Sequence, residues 1–364
     1  VFNLGVIMQV NLIAESVKRG HEQVVFFNYP QVGLKAIVGI HNTVLGPALG
    51  GCRMRLYENE SDAIDDVLRL SEGMTYKSAM AGLALGGGKA CLIADPNMIE
   101  GRTELFLKFA ECLNNLGGRY ITAEDMGTSP KDVSIMRQVT EWAAGRPVDD
   151  GGSGDPSPWT AKGVFYGILA AAERKFGSKD LKGKKVTVQG VGHVGEYLVE
   201  MLTSAGAKVY ISDTSLASLD RVHRTYGAEV VDRNAIYDVD CDIYAPCAIG
   251  QTVNSNTIPK LKCSIIAGAA NNQLTDPSVY EAIQKKGILY CPDFVINAGG
   301  VISVFGEYRD SGDNEAWLKD KVEAIGGTIH KIFDEAEKRG KFTEPVAIEL
   351  AKEIVANAEK KKKK

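Results

Sequence analysis

One six-residue signature limits what this chain can fold into more than any other feature. Gly190-Val191-Gly192-His193-Val194-Gly195 follows the apolar run KKVTVQ and precedes the helical pattern EYLVEMLTSAG. In a strand-to-helix turn the first glycine permits the tight bend, the second lets backbone approach a diphosphate, and the third lets helix pack on strand. The helix N-terminus then offers unsatisfied N–H groups and the positive end of its dipole to the phosphates. The next apolar run, AKVYISD, ends in Asp213, where a carboxylate accepts hydrogen bonds from ribose hydroxyls and repels a 2′-phosphate. The reading is a dinucleotide site that takes NAD rather than NADP, formed by Gly190, Val191, Gly192, His193, Val194, Gly195 and Asp213. The alternative is a glycine turn with no ligand. His193 reads as an exposed loop residue, not a catalyst.

Around this signature helices and strands alternate. From Trp159 the order is helix WTAKGVFYGILAAAERKF, strand KKVTVQG, helix VGEYLVEMLTSAG, strand AKVYISD and helix LASLDRVHRTYG, followed by the apolar strand candidates CDIYAPC, CSIIAGA and ILYCPDFVI. Parallel strands buried on both faces between helices predict a doubly wound sheet. The first third is also α/β: EQVVFFNY, LKAIVGIHN, KACLIAD and RYITAED read as strands, and SDAIDDVLRLSEGMTYKSAM and TELFLKFAECLNNL as helices. At 364 residues the chain exceeds the length at which single cores stop growing. The stretch AAGRPVDDGGSGDPSP marks the junction. The expected architecture is an N-terminal α/β catalytic and oligomerisation domain over 1–145, joined by returning C-terminal helices over 310–364, and a Rossmann-type NAD-binding domain over 150–305.

With 24% charged residues and a formal net charge of −4, the chain has no electrostatic reason to bind nucleic acid or an anionic membrane, and a small-molecule partner is implied. The seven cysteines lie singly, without CxxC pairs or a zinc-like cluster with the five histidines, so no metal site is expected. They read as buried free thiols in a reducing, cytoplasmic compartment. The N-terminal VFNLGVIMQVNLIA is too short to span a membrane and lacks the frame of a signal peptide; it reads as an amphipathic helix running to about Lys18. The terminal lysines read as a solvated, frayed end.

Three charged residues stand out for chemistry. Lys77 closes a helical segment, where a lysine is usually a solvated charge suited to the dipole. Lys89 sits in GLALGGGKACLIAD, which holds no other charge before Asp95. A lysine buried there beside a second cation would lose its proton more easily and become a candidate general base. A phosphate-binding GGGK loop is the rival, but Lys89 is followed by Ala90 rather than Ser or Thr, and the run enters a strand rather than a helix. At the end of RYITAED, Glu124 or Asp125 is placed for proton transfer, with a helix N-cap as the plain alternative for which Ser129 is at least as good.

The motifs LGPALGGCRM, GMTYKSAMAGLALGGGK, GRYITAEDMGT, VQGVGHVGE, CDIYAPCAIG, IAGAANNQL and PDFVINAGGVI, in order over about 20–340, resemble the leucine, phenylalanine and glutamate dehydrogenase superfamily, most closely its leucine dehydrogenase branch. The resemblance implies NAD-dependent oxidative deamination of an L-amino acid to a 2-oxo acid and ammonium, reversible as reductive amination, by a homo-oligomer. By the same resemblance Lys77 grips the substrate carboxylate, Lys89 is the base toward water attacking the imine, and Asp125 handles protons on the amine. Thr160 and Asn297 would lie near the nicotinamide, Asn271 near substrate or ribose, and Ala245 and Cys247 on the cofactor.

The resemblance also bears on the substrate. Where the glutamate enzymes have a lysine before the paired glycines Gly50 and Gly51, this chain has Leu49. Leu49, Ala123, Val301 and Val304 would make an apolar pocket in which a glutamate carboxylate is left unpaired. An aliphatic substrate is expected, with an aromatic one as the alternative. A silent NAD-binding protein would lack Lys77, Lys89 or Asp125, and a 2-hydroxy acid dehydrogenase would need a histidine base in the glycine-rich segments; neither fits.

Overall fold

The computed structural model describes residues 12–309 and 314–363, so most of the expected N-terminal helix lies outside the described residues. Contacts divide the chain into two compact units, Val1–Gly154 with Glu353–Lys364, and Asp155–Lys352.

The first unit runs α1 (Leu12–Arg19), β1 (Gln23–Tyr29), β2 (Leu34–Asn42), β3 (Ala48–Arg55), α2 (Glu60–Met80), β4 (Gly86–Ile93), α3 (Arg102–Asn114), β5 (Tyr120–Glu124) and α4 (Pro130–Arg137). Its sheet has the order β1-β2-β4-β3-β5. β1, β2 and β4 are antiparallel, while β3 lies parallel to both β4 and β5. β2 and β4 are buried on both faces, which is why they read as unbroken apolar runs. On one face Ala36, Val38, Ile40, Ala90 and Leu92 pack with Leu105, Phe106 and Phe109 of α3. On the other, Ile37 and Cys91 pack with Ala63, Val67 and Leu68 of α2. The period-2 alternation of the strands thus supplies both helices with a floor.

The second unit runs α5 (Ser157–Phe176), β6 (Lys185–Gln189), α6 (His193–Ser204), β7 (Lys208–Ser212), α7 (Leu216–Tyr226), β8 (Glu229–Val230), β9 (Ile243–Pro246), β10 (Ile265–Ile266), α8 (Val279–Lys285), β11 (Leu289–Tyr290), α9 (Asp293–Ile296), α10 (Gly299–Arg309), α11 (Asn314–Arg339) and the start of α12 (Thr343–Lys362), whose residues from Glu353 group with the first unit. Its six strands follow the order β11-β10-β9-β6-β7-β8 and are all parallel. Chain order reverses between β6 and β9, the switch point at which doubly wound sheets open a crevice at their strand ends.

Three expectations change. The helices after 310 do not all return to the first unit: Ile325 and Ile329 of α11 are buried, and Ile325 stands against Gly163 of α5, so only Glu353–Lys364 group with the first unit. The run ILYCPDFVI is a strand only at Leu289–Tyr290; Pro292, which has no N–H to donate, leads into the short helix α9. The C-terminal lysines, read as a solvated end, are exposed but helical as far as Lys362.

Candidate active site

The three glycines before Lys89 open β4. A Cβ on Gly87 would stand 2.1 Å from the Thr75 nitrogen and 2.5 Å from the Ser71 carbonyl oxygen, both on α2, and one on Gly88 would stand 2.6 Å from the Tyr120 ring. Their bareness therefore lets α2 and Tyr120 close on the strand; it makes no phosphate cradle. The same holds for Gly50 and Gly51, whose added carbons would meet the carbonyl oxygens of Gly88 at 1.8 Å and Glu124 at 2.4 Å. Lys77 is half-buried in the last turn of α2. Leu49 on β3 and Ala123 on β5 are 2% and 6% exposed.

Lys89 points its ammonium at Asp125, with Nζ 2.8 Å from Oδ2 and only 8% of the lysine side chain exposed. The same oxygen accepts from Arg53 Nε at 3.0 Å. The group that Lys89 meets is thus a carboxylate and not the second cation that its glycine-rich, apolar setting suggested. Burial pushes the Asp125 carboxyl upward, but the Lys89 and Arg53 charges outweigh it and hold the group at about 2. Its backbone N–H donates to Thr128 Oγ1 at 2.8 Å, and that hydroxyl donates to the Cys52 carbonyl at 3.0 Å. Of the two adjacent acids, Asp125 is the one that meets Lys89. It does not cap α4; Ser129 does so, in a capping box with Asp132.

In the second unit each glycine of the signature has its own reason. Gly190 has φ 99°, which side-chain-bearing residues avoid. A Cβ on Gly195 would stand 2.0 Å from the Gly190 carbonyl oxygen, whereas one on Gly192 would meet nothing within 4 Å. Open space thus lies at the glycine that lets backbone approach a ligand. Asp213 leaves β7 and accepts from the Val191 N–H at 2.7 Å and the Ser215 N–H at 2.8 Å, so its carboxylate is fixed against the turn. His193 is 83% exposed in its side chain, but it opens α6 instead of lying in a loop, and Val194 follows it in the first turn.

The remaining cofactor candidates belong to the same unit. Ala245 is buried on β9 beside Val188, and the Cys247 N–H donates to the Gln189 carbonyl at 2.7 Å. Burial pushes the Cys247 thiol up to about 12, which favours the thiol over the thiolate. Asn297 donates to the Ala269 carbonyl at 3.0 Å and to Asn271 Oδ1 at 2.8 Å, while its own Oδ1 is buried without a partner among the described residues. Thr160 donates to the Pro156 carbonyl at 3.1 Å, and its hydroxyl lies where a Cβ on Gly300 would come within 2.7 Å. Val301 and Val304 are buried in α10.

Residues 21–142 match the family model described as "Glu/Leu/Phe/Val dehydrogenase, dimerisation domain", and residues 151–217 and 211–362 match that of the glutamate/leucine/phenylalanine/valine dehydrogenases. The chain belongs to this dehydrogenase family. It is 47% identical over 338 residues to a leucine dehydrogenase of Bacillus subtilis, covering 93% of this chain and 92% of the relative. It is 44% identical over 320 residues to a phenylalanine dehydrogenase of Thermoactinomyces intermedius, covering 87% of each. The crystal structure of L-tryptophan dehydrogenase from Nostoc punctiforme superposes with a TM-score of 0.83 at 41% identity, covering 96% of this chain and 99% of that one.

As a member of the family the chain is an NAD(P)-dependent amino acid dehydrogenase. The open space at Gly192 and the unpartnered Asn297 oxygen are what a bound dinucleotide would use, the first for phosphate and the second for an amide N–H. Among the described residues no cluster of His, Cys, Asp or Glu is arranged to hold a metal, and no helix is long and apolar enough to cross a membrane.

The sequence reading passed over Arg53, Asp66 and Asp293. Arg53 left one signal, a cation inside the otherwise apolar strand ALGGCRM. Asp293 accepts from the Gln273 N–H at 2.9 Å and so ties down the loop that carries Asn271. In that loop Asn272, and opposite it Gln251, take positive φ values of 51° and 62°, and the Gln251 N–H donates to the Asn272 carbonyl. Non-glycine residues held this way store strain of a kind that gathers at functional sites.

Proposed function

We propose that the chain catalyses the NAD-dependent oxidative deamination of branched aliphatic L-amino acids, leucine foremost, and the reverse reductive amination. The observation that carries the reading is the pair of buried Lys89 on β4 and half-buried Asp125 just after β5, a proton donor and acceptor 2.8 Å apart. Lys77 holds the substrate carboxylate. Bound NAD supplies the hydride acceptor. Neutral Lys89 takes a proton from water as the water oxygen bonds to the imine carbon and the C=N electron pair passes to nitrogen. Asp125 gives that nitrogen the proton it took from the substrate ammonium, and as the C–N bond breaks the hydroxyl proton leaves to solvent and its electron pair forms the C=O of the 2-oxo acid.

Gly190–Gly195, Asp213, Thr160, Ala245, Cys247, Asn271 and Asn297 are assigned to the cofactor. Asp213 supports NAD over NADP because a 2′-phosphate beside a fixed carboxylate is repelled. Gly50, Gly51, Leu49 and Ala123 are assigned to the substrate, and so are Val301 and Val304. On the first unit Leu49 and Ala123 are apolar and buried, so a glutamate carboxylate brought against them would be unpaired at a cost of several kcal/mol. The identity to phenylalanine and tryptophan enzymes supports an aromatic substrate as the second reading, since apolar pockets discriminate by only ~1–3 kcal/mol per methylene. We assign the protein to a homo-oligomer, supported by the dimerisation-domain match, and to the cytoplasm, supported by its seven unpaired cysteines.

The test is ammonium-dependent NADH oxidation with 4-methyl-2-oxopentanoate, 3-methyl-2-oxobutanoate, phenylpyruvate and 2-oxoglutarate. The aliphatic acids should give the highest kcat/KM and 2-oxoglutarate the lowest. Higher kcat/KM for phenylpyruvate would move the assignment to the aromatic reading, and no signal with any acid would sink it.

A further inference from the structure

We propose that Arg53 is a positioning residue of this reaction: it holds Asp125 in place and balances its charge, so that Lys89 can give up its proton without leaving a carboxylate stranded. The inference rests on the reading of Lys89 as the base.

The geometry is a chain of alternating charges. Lys89 Nζ lies 2.8 Å from Asp125 Oδ2, and Arg53 Nε lies 3.0 Å from the same oxygen. At its other end Arg53 Nη1 lies 2.8 Å from Asp66 Oδ2, and Arg69 Nη2 closes the chain 2.7 Å from Asp66 Oδ1. The Tyr57 hydroxyl also donates to Asp66 Oδ2, at 3.0 Å. Four of the five side chains are poorly hydrated, with 8% of Lys89, 24% of Asp125, 16% of Arg53 and 11% of Asp66 exposed.

Such burial makes an unpaired carboxylate costly. With Lys89 charged, three cations face two anions; once Lys89 is neutral, two face two. Without Arg53, a neutral Lys89 would leave Asp125 with no cation, so the pair would hold on to the lysine proton. The other titratable groups in contact add no charge near neutral pH. Burial pushes the Cys52 and Cys91 thiols up to about 11, and the Tyr57 and Tyr120 hydroxyls are also driven upward by burial.

A lysine could supply the charge of Arg53 but not its fork, which spans two carboxylates through separate nitrogens. Asp125 lies at the far end of this fork, held ionised. It can take up a proton only when one of its two cationic contacts is given up, and Lys89 is the contact that loses its charge during turnover.

The experiment is the pH profile of kcat/KM for L-leucine with saturating NAD, measured on the full chain. Losing a positive charge favours a protonated lysine, so Arg53→Gln should move the acidic limb up by roughly one pH unit and lower kcat. Asp66→Asn removes a negative charge from the same chain and should move the limb the opposite way. Arg53→Lys should return the limb to within a few tenths of the wild-type position while kcat stays depressed. NAD affinity should be unchanged in all three. A limb that stays in place in both Arg53→Gln and Asp66→Asn, whatever happens to the rate, overturns the proposal. If Arg53→Gln does not fold, the limb of Asp66→Asn decides alone. Lys89→Ala separates the two levels: if it keeps both activity and limb, the base assignment fails and this inference with it, whereas an inactive Lys89→Ala with unmoved limbs in the other variants sinks the role of Arg53 only.

Discussion

Substituting Gly87 by alanine tests whether the glycine run is a packing device. The added carbon would lie 2.1 Å from the Thr75 nitrogen, 2.3 Å from Thr75 Oγ1 and 2.5 Å from the Ser71 carbonyl oxygen. Two of these are backbone atoms that cannot rotate away. Ordinary contact begins near 3.4 Å, so α2 must lift from β4 by more than about 1 Å. That lift strains the 2.7 Å bond between Thr75 Oγ1 and His41 Nδ1, both buried. Overpacking costs about 1–3 kcal/mol and a broken buried hydrogen bond about 1–3 more, so a loss of about 4 kcal/mol is expected. In a unit of this size that lowers Tm by about 10 °C. Gly73 supplies the control: it lies in the same helix, but a Cβ there meets nothing within 4 Å. Gly73→Ala should therefore raise stability by about 0.5–1 kcal/mol through helix propensity alone. Thermal unfolding of both variants reads the difference. Because α2 also carries Lys77, the KM for L-leucine should rise in Gly87→Ala. An unchanged Tm in Gly87→Ala, or equal losses in both, would refute the reasoning.

Two further outcomes are expected. Asp213→Ala should relax the preference for NAD over NADP by an order of magnitude or more, read as the ratio of kcat/KM values, and unchanged discrimination would remove its ribose role. The second concerns His21, which burial and the neighbouring His41 lower to about 4 from its ordinary 6.5, with the two rings 4.8 Å apart. The unfolded chain then binds a proton between pH 6.5 and 4 that the folded chain refuses, so stability is present above 6.5 and falls as pH drops through that window, by about 2 kcal/mol after allowance for partial exposure. Urea unfolding at pH 7 and 4.5 checks this; His21→Gln should flatten the difference, and an equal drop in the variant would exclude His21 as the cause.

Much of the fold was legible because it rests on local pattern. The strand runs at Gln23–Tyr29 and Lys185–Gln189 and the helices from Glu60 and Ser157 stand where periodicity puts them. What failed depended on tertiary choice. α11 is amphipathic, and amphipathicity says that a helix will bury a face but not against which partner; Gly163 on α5 makes room for Ile325 and decides it. The strand β3 was met only as a motif, because ALGGCRMR holds two glycines and two arginines. Its register beside β4 and β5 makes it a central strand whose glycines are demanded by the neighbouring carbonyls.

The site shows the same limit in electrostatic form. Reading along the chain, Lys89 is an isolated charge, since no other stands in its segment before Asp95, and burial there beside another cation would make a lysine shed its proton more easily. Through space it is one end of a line of five charges drawn from β4, β3, α2 and the residue after β5. Three of those five, Arg53, Asp66 and Arg69, belong to segments whose sequence gave no reason to join them to Asp125. Sequence spacing reports charge density along one dimension, whereas proton affinity depends on charge within a few ångströms in three. The difference has a chemical consequence. A lysine tuned by burial alone would answer to its solvation, whereas a lysine sharing one carboxylate oxygen with an arginine answers to every charge along the line. Arg53 and Asp66 then act on Lys89 through Asp125, and substituting either one tests that coupling.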